Sequence, residues 1–213
     1  MALAAGICLS AQEECSTAWP YLYPEFREGT VYLKNGSKLQ YQVNVHTLHG
    51  KLHYLDGGVV KEAVASELLM VRIGDDEYME EEGSVMKVLA RNGQGFVAAL
   101  ILGDFDKLSD SAGAYGSSTT SSATRKLSSL DLAGKVNQNH MEMWENRHGG
   151  ETVDLVKTYY IVTGGKVYKA TQKAIAAELD ADGKAAFKTW LKSHKIKWKD
   201  ADSLLGLVEF LNQ

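Results

Sequence analysis

The 213-residue chain has little proline and little cysteine. Both prolines, Pro20 and Pro24, precede position 25, so no proline-rich linker divides the rest. The two cysteines, Cys8 and Cys15, form no CxxC pair, and no Cys/His cluster has zinc spacing, which argues against a disulfide scaffold or a zinc module. No apolar run approaches the roughly 18 residues that a membrane-crossing helix needs. Charge of one sign is missing too: 23 basic against 27 acidic residues leave a net charge of −4, too weak to suggest nucleic acid. Neither GxSxG nor GxxxxGK[ST] occurs, and no repeat of solenoid or propeller period is visible.

What remains is an ordinary globular composition, 45% hydrophobic and 23% charged, long enough for one domain. Its charges are unevenly spread. Residues 75–82, "DDEYMEEE", hold six acids and read as a solvated acidic turn. Residues 157–199 hold ten lysines against three acids and read as solvated helix faces.

The chain opens with an uncharged, mostly apolar decamer, Ala2 to Ala11, the length of a signal-peptide core. Ala11 suits the position before a cleavage site, although no basic residue precedes Arg27. The alternatives are a truncated signal, which is preferred, and a buried strand. Ile7 before Cys8 does not fit a lipid-anchor site. Export follows as the expectation, to the periplasm, the outer-membrane surface or the extracellular space. Residues 1–11 are then a signal remnant and 12–28 an N-terminal arm.

Residues 29–213 read as one domain. In "KLQYQVNVH", Leu39, Tyr41, Val43 and Val45 alternate with Lys38, Gln40, Gln42 and Asn44, the period of a half-buried strand. Asn35-Gly36 is a hairpin signal, and Gly74-Asp75-Asp76, Asn92-Gly93 and Gly164-Gly165 mark further turns. Residues 29–108 therefore predict a β-meander, 109–150 an irregular loop region, 151–170 further strands and 171–213 a helical cap. In the cap, Phe187, Trp190, Leu191 and His194 form one amphipathic stripe, placing Phe187 and Trp190 over one opening of the roll. Leu204, Leu207, Val208 and Leu211 form another, with Asp202 as N-cap. The fold class is α+β, mainly β: an antiparallel meander forming a roll or barrel-like sheet with two or three C-terminal helices.

Three stretches carry a resemblance. "FREGTVYLKNGSKLQYQVNVHTLHGKLHYLD", "GAYGSSTTSSATR" and "KAAFKTWLKSHKIKWKDADSLLGLVEFL" resemble segments of a family of uncharacterised secreted envelope proteins of Bacteroidetes-type bacteria. The likeness lies in an extended Phe-x-x-Gly-x-Val, a basic Asn/Asp-Gly turn and an Asn-containing strand, then the Gly-x-Tyr-Gly loop and Lys-rich helices. Where that family often has an aromatic after the strand asparagine, this chain has Val45-His46. The resemblance implies an exported envelope protein and no particular activity.

The possible chemistry is thin. "SSTTSSAT" disfavours a helix start, and the first basic residue after Gly116 is Arg125, so residues 113–125 read as an exposed loop and not a phosphate cradle. If His49-Gly50 is a two-residue turn, His46 faces His53 closely enough to share a metal, but no third ligand is evident. His140, Glu142 and His148 lie far along the irregular segment, and two half-exposed strand histidines are the plainer reading. Asp104 and Asp106 follow an apolar strand, where Asp usually serves the turn. "KTWLKSHKIKWK" mimics a nucleic-acid surface, but its helical stripe turns Trp190 inward.

Two readings survive, with no cofactor and no metal in either. The preferred one is a non-catalytic exported envelope protein, structural or binding a glycan or envelope partner through loops, with Tyr115, Trp144 and His148 as contacts. The alternative is a small hydrolase acting on envelope or dietary polymers.

Overall fold

The computed structural model describes residues 16–18, 21–104 and 152–212. They form eleven strands and three helices. The strands are β1 (Ser16–Ala18), β2 (Arg27–Leu33), β3 (Lys38–His46), β4 (Lys51–Asp56), β5 (Val59–Glu62) and β6 (Leu68–Ile73). They continue with β7 (Asp76–Glu81), β8 (Ser84–Asn92), β9 (Gly95–Gly103), β10 (Thr152–Thr163) and β11 (Lys166–Lys169). The helices are α1 (Gln172–Glu178), α2 (Ala181–Ser193) and α3 (Ala201–Leu211).

All pairings are antiparallel. The sheet runs β1-β10-β9-β8-β7-β6-β2-β3-β4-β5, with β11 beside β10. It is an open meander, and the mainly-β expectation with C-terminal helices holds. Period-two patterning makes the strands: residues opposed across β3, β2, β6 and β7 (Leu39, Val31, Val71, Tyr78) share one face. That concave face holds one core of Val31, Val43, Val45, Leu52, Val71, Ile73, Tyr78 and Val85. The expected turns are present. One more, Gly57–Gly58, has both residues at positive φ (58° and 81°), which hairpin turns matched to strand twist require.

The sheet curls without closing. The four-residue turn from Thr47 to Gly50 reaches across to the far strands. Val85 N donates to Gly50 O at 2.7 Å, Gly103 N to Thr47 O at 3.0 Å and Ser84 Oγ to His49 O at 3.1 Å. Gly50 is fixed by this approach: its φ is 62°, and a Cβ there would meet Leu100 Cδ1 at 2.7 Å.

The second core lies at the other end, where Val97, Ile161 and Tyr168 meet Ile175, Phe187, Leu204, Leu207 and Val208. Helix α3 rests on β8, β9 and β10. Helix α2 packs against α3, with Phe187 and Trp190 at 5.5 Å and 5.3 Å from Phe210. Trp190 is therefore a helix-to-helix contact, not a plug in the roll.

Three other expectations need correction. The 75–82 stretch is mostly strand β7, because the residues from Asp76 to Glu81 pair with β6 on one side and β8 on the other. The N-cap of α3 is Asp200, whose side chain accepts from Ser203 N at 2.8 Å, with Asp202 in the first turn. The β3–β4 turn has four residues, so His46 pairs with Lys51 and Asn44 with His53.

Candidate functional site

The far end of β3 is covered on both faces. Val43 and Val45 point into the core, and Asn44 and His46 on the other face are also buried. The cover is the segment Tyr21 to Phe26, which lies within the stretch expected as an N-terminal arm but is packed against the sheet. Tyr21 is 1% exposed, and Leu22 N donates to Val45 O at 2.9 Å.

Asn44 holds this strap with its whole amide. Its Oδ1 accepts from Tyr23 N at 3.1 Å and Val45 N at 2.9 Å, and its Nδ2 donates to Tyr23 O at 2.8 Å and Glu25 O at 3.2 Å. Two acceptor and two donor positions are thus used, the full capacity of an asparagine.

Beside it, the rings of His46 and His53 stack at 4.8 Å and 17°, and Tyr21 packs edge-on against both at 5.6 Å. The Tyr21 hydroxyl is hydrogen-bonded to His53 Nδ1 at 2.9 Å, and His53 Nε2 lies 3.4 Å from the half-exposed Glu62 carboxylate. Phe26 closes on Tyr21 at 5.0 Å. Burial pushes the Tyr21 phenol far above its ordinary range. The two histidines, expected as half-exposed, are 2% and 0% exposed because the strap covers them. They meet across a diagonal of the ladder. Stacked rings direct their nitrogen lone pairs in parallel planes, which suits packing better than convergence on one ion. Among the described residues, no three His, Cys, Asp or Glu side chains form a metal-binding group.

A second polar cluster closes the concave core. The Tyr23 hydroxyl donates to Asp76 Oδ2 at 2.6 Å and lies 2.6 Å from the Tyr78 hydroxyl, while Lys87 Nζ sits 2.7 Å from Asp76 Oδ1. Arg27 caps the Tyr23 ring at 4.3 Å. Burial raises both tyrosines, Tyr23 further through Asp76 and Tyr78 further through Tyr23. Burial also pushes the Asp76 carboxyl up. The hydrogen bonds from Lys87 and Tyr23, with the Lys87 and Arg27 charges, outweigh it and hold that carboxyl below the ordinary range.

A shallow hollow of about 330 Å³ lies at the β8–β9 turn, lined by Asn92, Gly93, Gln94 and Glu209. Asp104 follows β9 and is half-buried, its N–H donating to Asp154 O at 2.7 Å. Tyr115, Trp144 and His148 lie outside the described residues, as do Asp106, His140, Glu142 and the 113–125 stretch. Tyr21, Tyr23 and the clamp role of Asn44 were not legible in the sequence. Two tyrosines flanking Leu22 between two prolines carry no periodic signal, and Asn44 looks like one more polar position of an alternating strand.

The geometry packs His46 and His53 beneath Tyr21 of the strap, away from solvent. No family model, no curated protein and no solved structure matches the chain.

Proposed function

We propose that the chain is a non-catalytic, exported envelope protein that binds a glycan or protein partner through loops carried on a rigid β-scaffold. One observation supports this reading above others. The imidazoles and phenols best suited to acid–base work are committed to packing: His46 and His53 are buried beneath Tyr21 of the strap, itself 1% exposed, where a substrate atom has no approach. Acid–base catalysis needs the group within hydrogen-bond reach of the proton it moves. Asp76 is likewise held by Lys87 and Tyr23, which makes it a stabilising carboxylate and a poor base. The binding contacts proposed are Tyr115, Trp144 and His148.

A substrate screen for glycosidase, esterase and peptidase turnover, run beside glycan-array and pull-down binding, tests the reading. Binding lost in Tyr115→Ala or Trp144→Ala, with far-UV circular dichroism unchanged, supports it. Turnover that disappears in Asp104→Asn or His53→Gln overturns it. Mass spectrometry of protein from the native host tests export, and an intact Met1 in cytosolic protein overturns that part.

A further inference from the structure

Residues 184–199 carry six lysines and no acid. Lys184, Lys188 and Lys192 recur every four positions and so form one exposed stripe along α2, beside the face that buries Phe187. Beyond the helix the sequence "KIKWK" alternates. Ile196 and Trp198 turn inward against the cap core, and Lys195, Lys197 and Lys199 turn outward. The backbone under them is fixed: Lys197 N donates to Ser203 Oγ at 2.9 Å, Asp200 N to Lys197 O at 3.1 Å and His194 N to Trp190 O at 3.0 Å. Among the described residues none of the six lysines is ion-paired, whereas Lys34, Lys61, Arg72, Lys87 and Arg91 of the roll are.

We infer that this lysine face docks the protein onto a bilayer surface rich in anionic headgroups. Charge complementarity is the first argument. The second is charge segregation: a net charge of −4 with +6 in this stretch leaves −10 for everything else (−4 − 6 = −10). A long flexible polyanion wrapping the molecule meets that negative remainder, while a planar anionic surface touches the lysine face alone. The third is the aromatic placement. Trp190 packs on Phe210 and Trp198 in the cap core, so neither offers a stacking platform for bases. The apolar side of α2 is also occupied, so the contact is electrostatic and superficial, without insertion. Among the described residues no helix is long and apolar enough to cross a membrane. The inference concerns where the molecule sits and does not depend on the loop-binding reading.

Co-sedimentation of the full chain with vesicles tests it. Vesicles of phosphatidylcholine with phosphatidylglycerol should bring the protein down at low salt, with binding lost as salt is raised, and phosphatidylcholine alone should not. Reversing Lys184, Lys188 and Lys192 to Glu should lower partitioning by about tenfold or more. A control that changes charge equally within the roll, Lys34, Lys61 and Lys38 to Glu, should lower it much less. Equal sedimentation with neutral vesicles, equal loss in the two triple variants, or no binding to anionic vesicles at low salt overturns the proposal. So does retention on a single-stranded oligonucleotide or a sulfated polysaccharide without vesicle binding.

Discussion

The roll and the helical cap handle charge in opposite ways. In the roll, opposite charges meet across strands: Lys34 with Glu80 at 3.0 Å, Lys61 with Asp56 at 2.5 Å, Lys87 with Asp76 at 2.7 Å, and Arg72 and Arg91 both with Glu77. Antiparallel pairing brings such side chains within reach on one face, so Asp76, Glu77 and Glu80, three of the six acids of 75–82, are paired with cations where they stand. In the cap, the four-residue spacing brings lysine beside lysine, an arrangement that costs a few tenths of a kcal/mol per pair. The two regions also differ inside. Inside the roll an apolar core is joined by buried hydrogen bonds centred on Asn44 and Tyr23, whereas the core of the cap is built of apolar and aromatic side chains. A region can therefore be chemically plain within and strongly biased on its surface, as the cap is, or the reverse, as the roll is.

The sharpest way to break this comparison is to remove one anchor from each region. Phe187→Ala should cost about 3–5 kcal/mol in urea melts, since its ring is 2% exposed among Leu204, Leu207 and Val208. Asn44→Leu should cost about 3 kcal/mol, because it leaves the buried backbone groups it serves without partners. If Asn44→Leu is neutral, the strap is held by packing and the contrast fails.

Alkali should act on the roll first. Burial raises Tyr21, Tyr23 and Tyr78 above the ordinary phenol value of about 10. Their folded-state pKa values lie above the unfolded ones, so the stability they contribute is complete below about pH 10 and falls as the pH climbs beyond it. Phenolate absorbance should stay below the amplitude for all ten tyrosines until circular dichroism shows unfolding. Asp76 works in the other direction: its depressed carboxyl contributes stability that is lost as the pH drops through the acid range.

The smallest effects separate the surfaces. Arg91→Ala, which removes a largely exposed partner of Glu77, should cost under about 1 kcal/mol. Lys188→Ala should instead be neutral or stabilising by a few tenths of a kcal/mol, since it relieves repulsion from Lys184 and Lys192. Thermal melts at low and high salt would show the two differences shrinking together.

The strands, their turns and the cap were legible because period two, period 3.6 and glycine-marked turns are local signals. Val43 and Val45 of the strand alternation, and Phe187 with Trp190 and Leu191 of the helical stripe, pass directly into the two cores. What escaped was anything decided by distant chain. The His46–His53 register slipped because the Thr47–Gly50 turn takes its length from contacts with Val85 and Gly103, which no hairpin rule contains. The acids of β7 looked solvated because their partners lie on other strands. The strap went unread because Asn44 declares its role only when Tyr23 and Glu25 are laid over it.

The Thr47–Gly50 turn has a consequence for the order of folding. The hairpins of the sheet join neighbours a few positions apart, so each can form early and independently. The turn joins residues dozens of positions apart, and it can engage Val85 and Gly103 only after both halves of the meander exist. It is therefore a late-closing latch, and a molecule caught before it shuts would hold native hairpins around an open, water-filled trough.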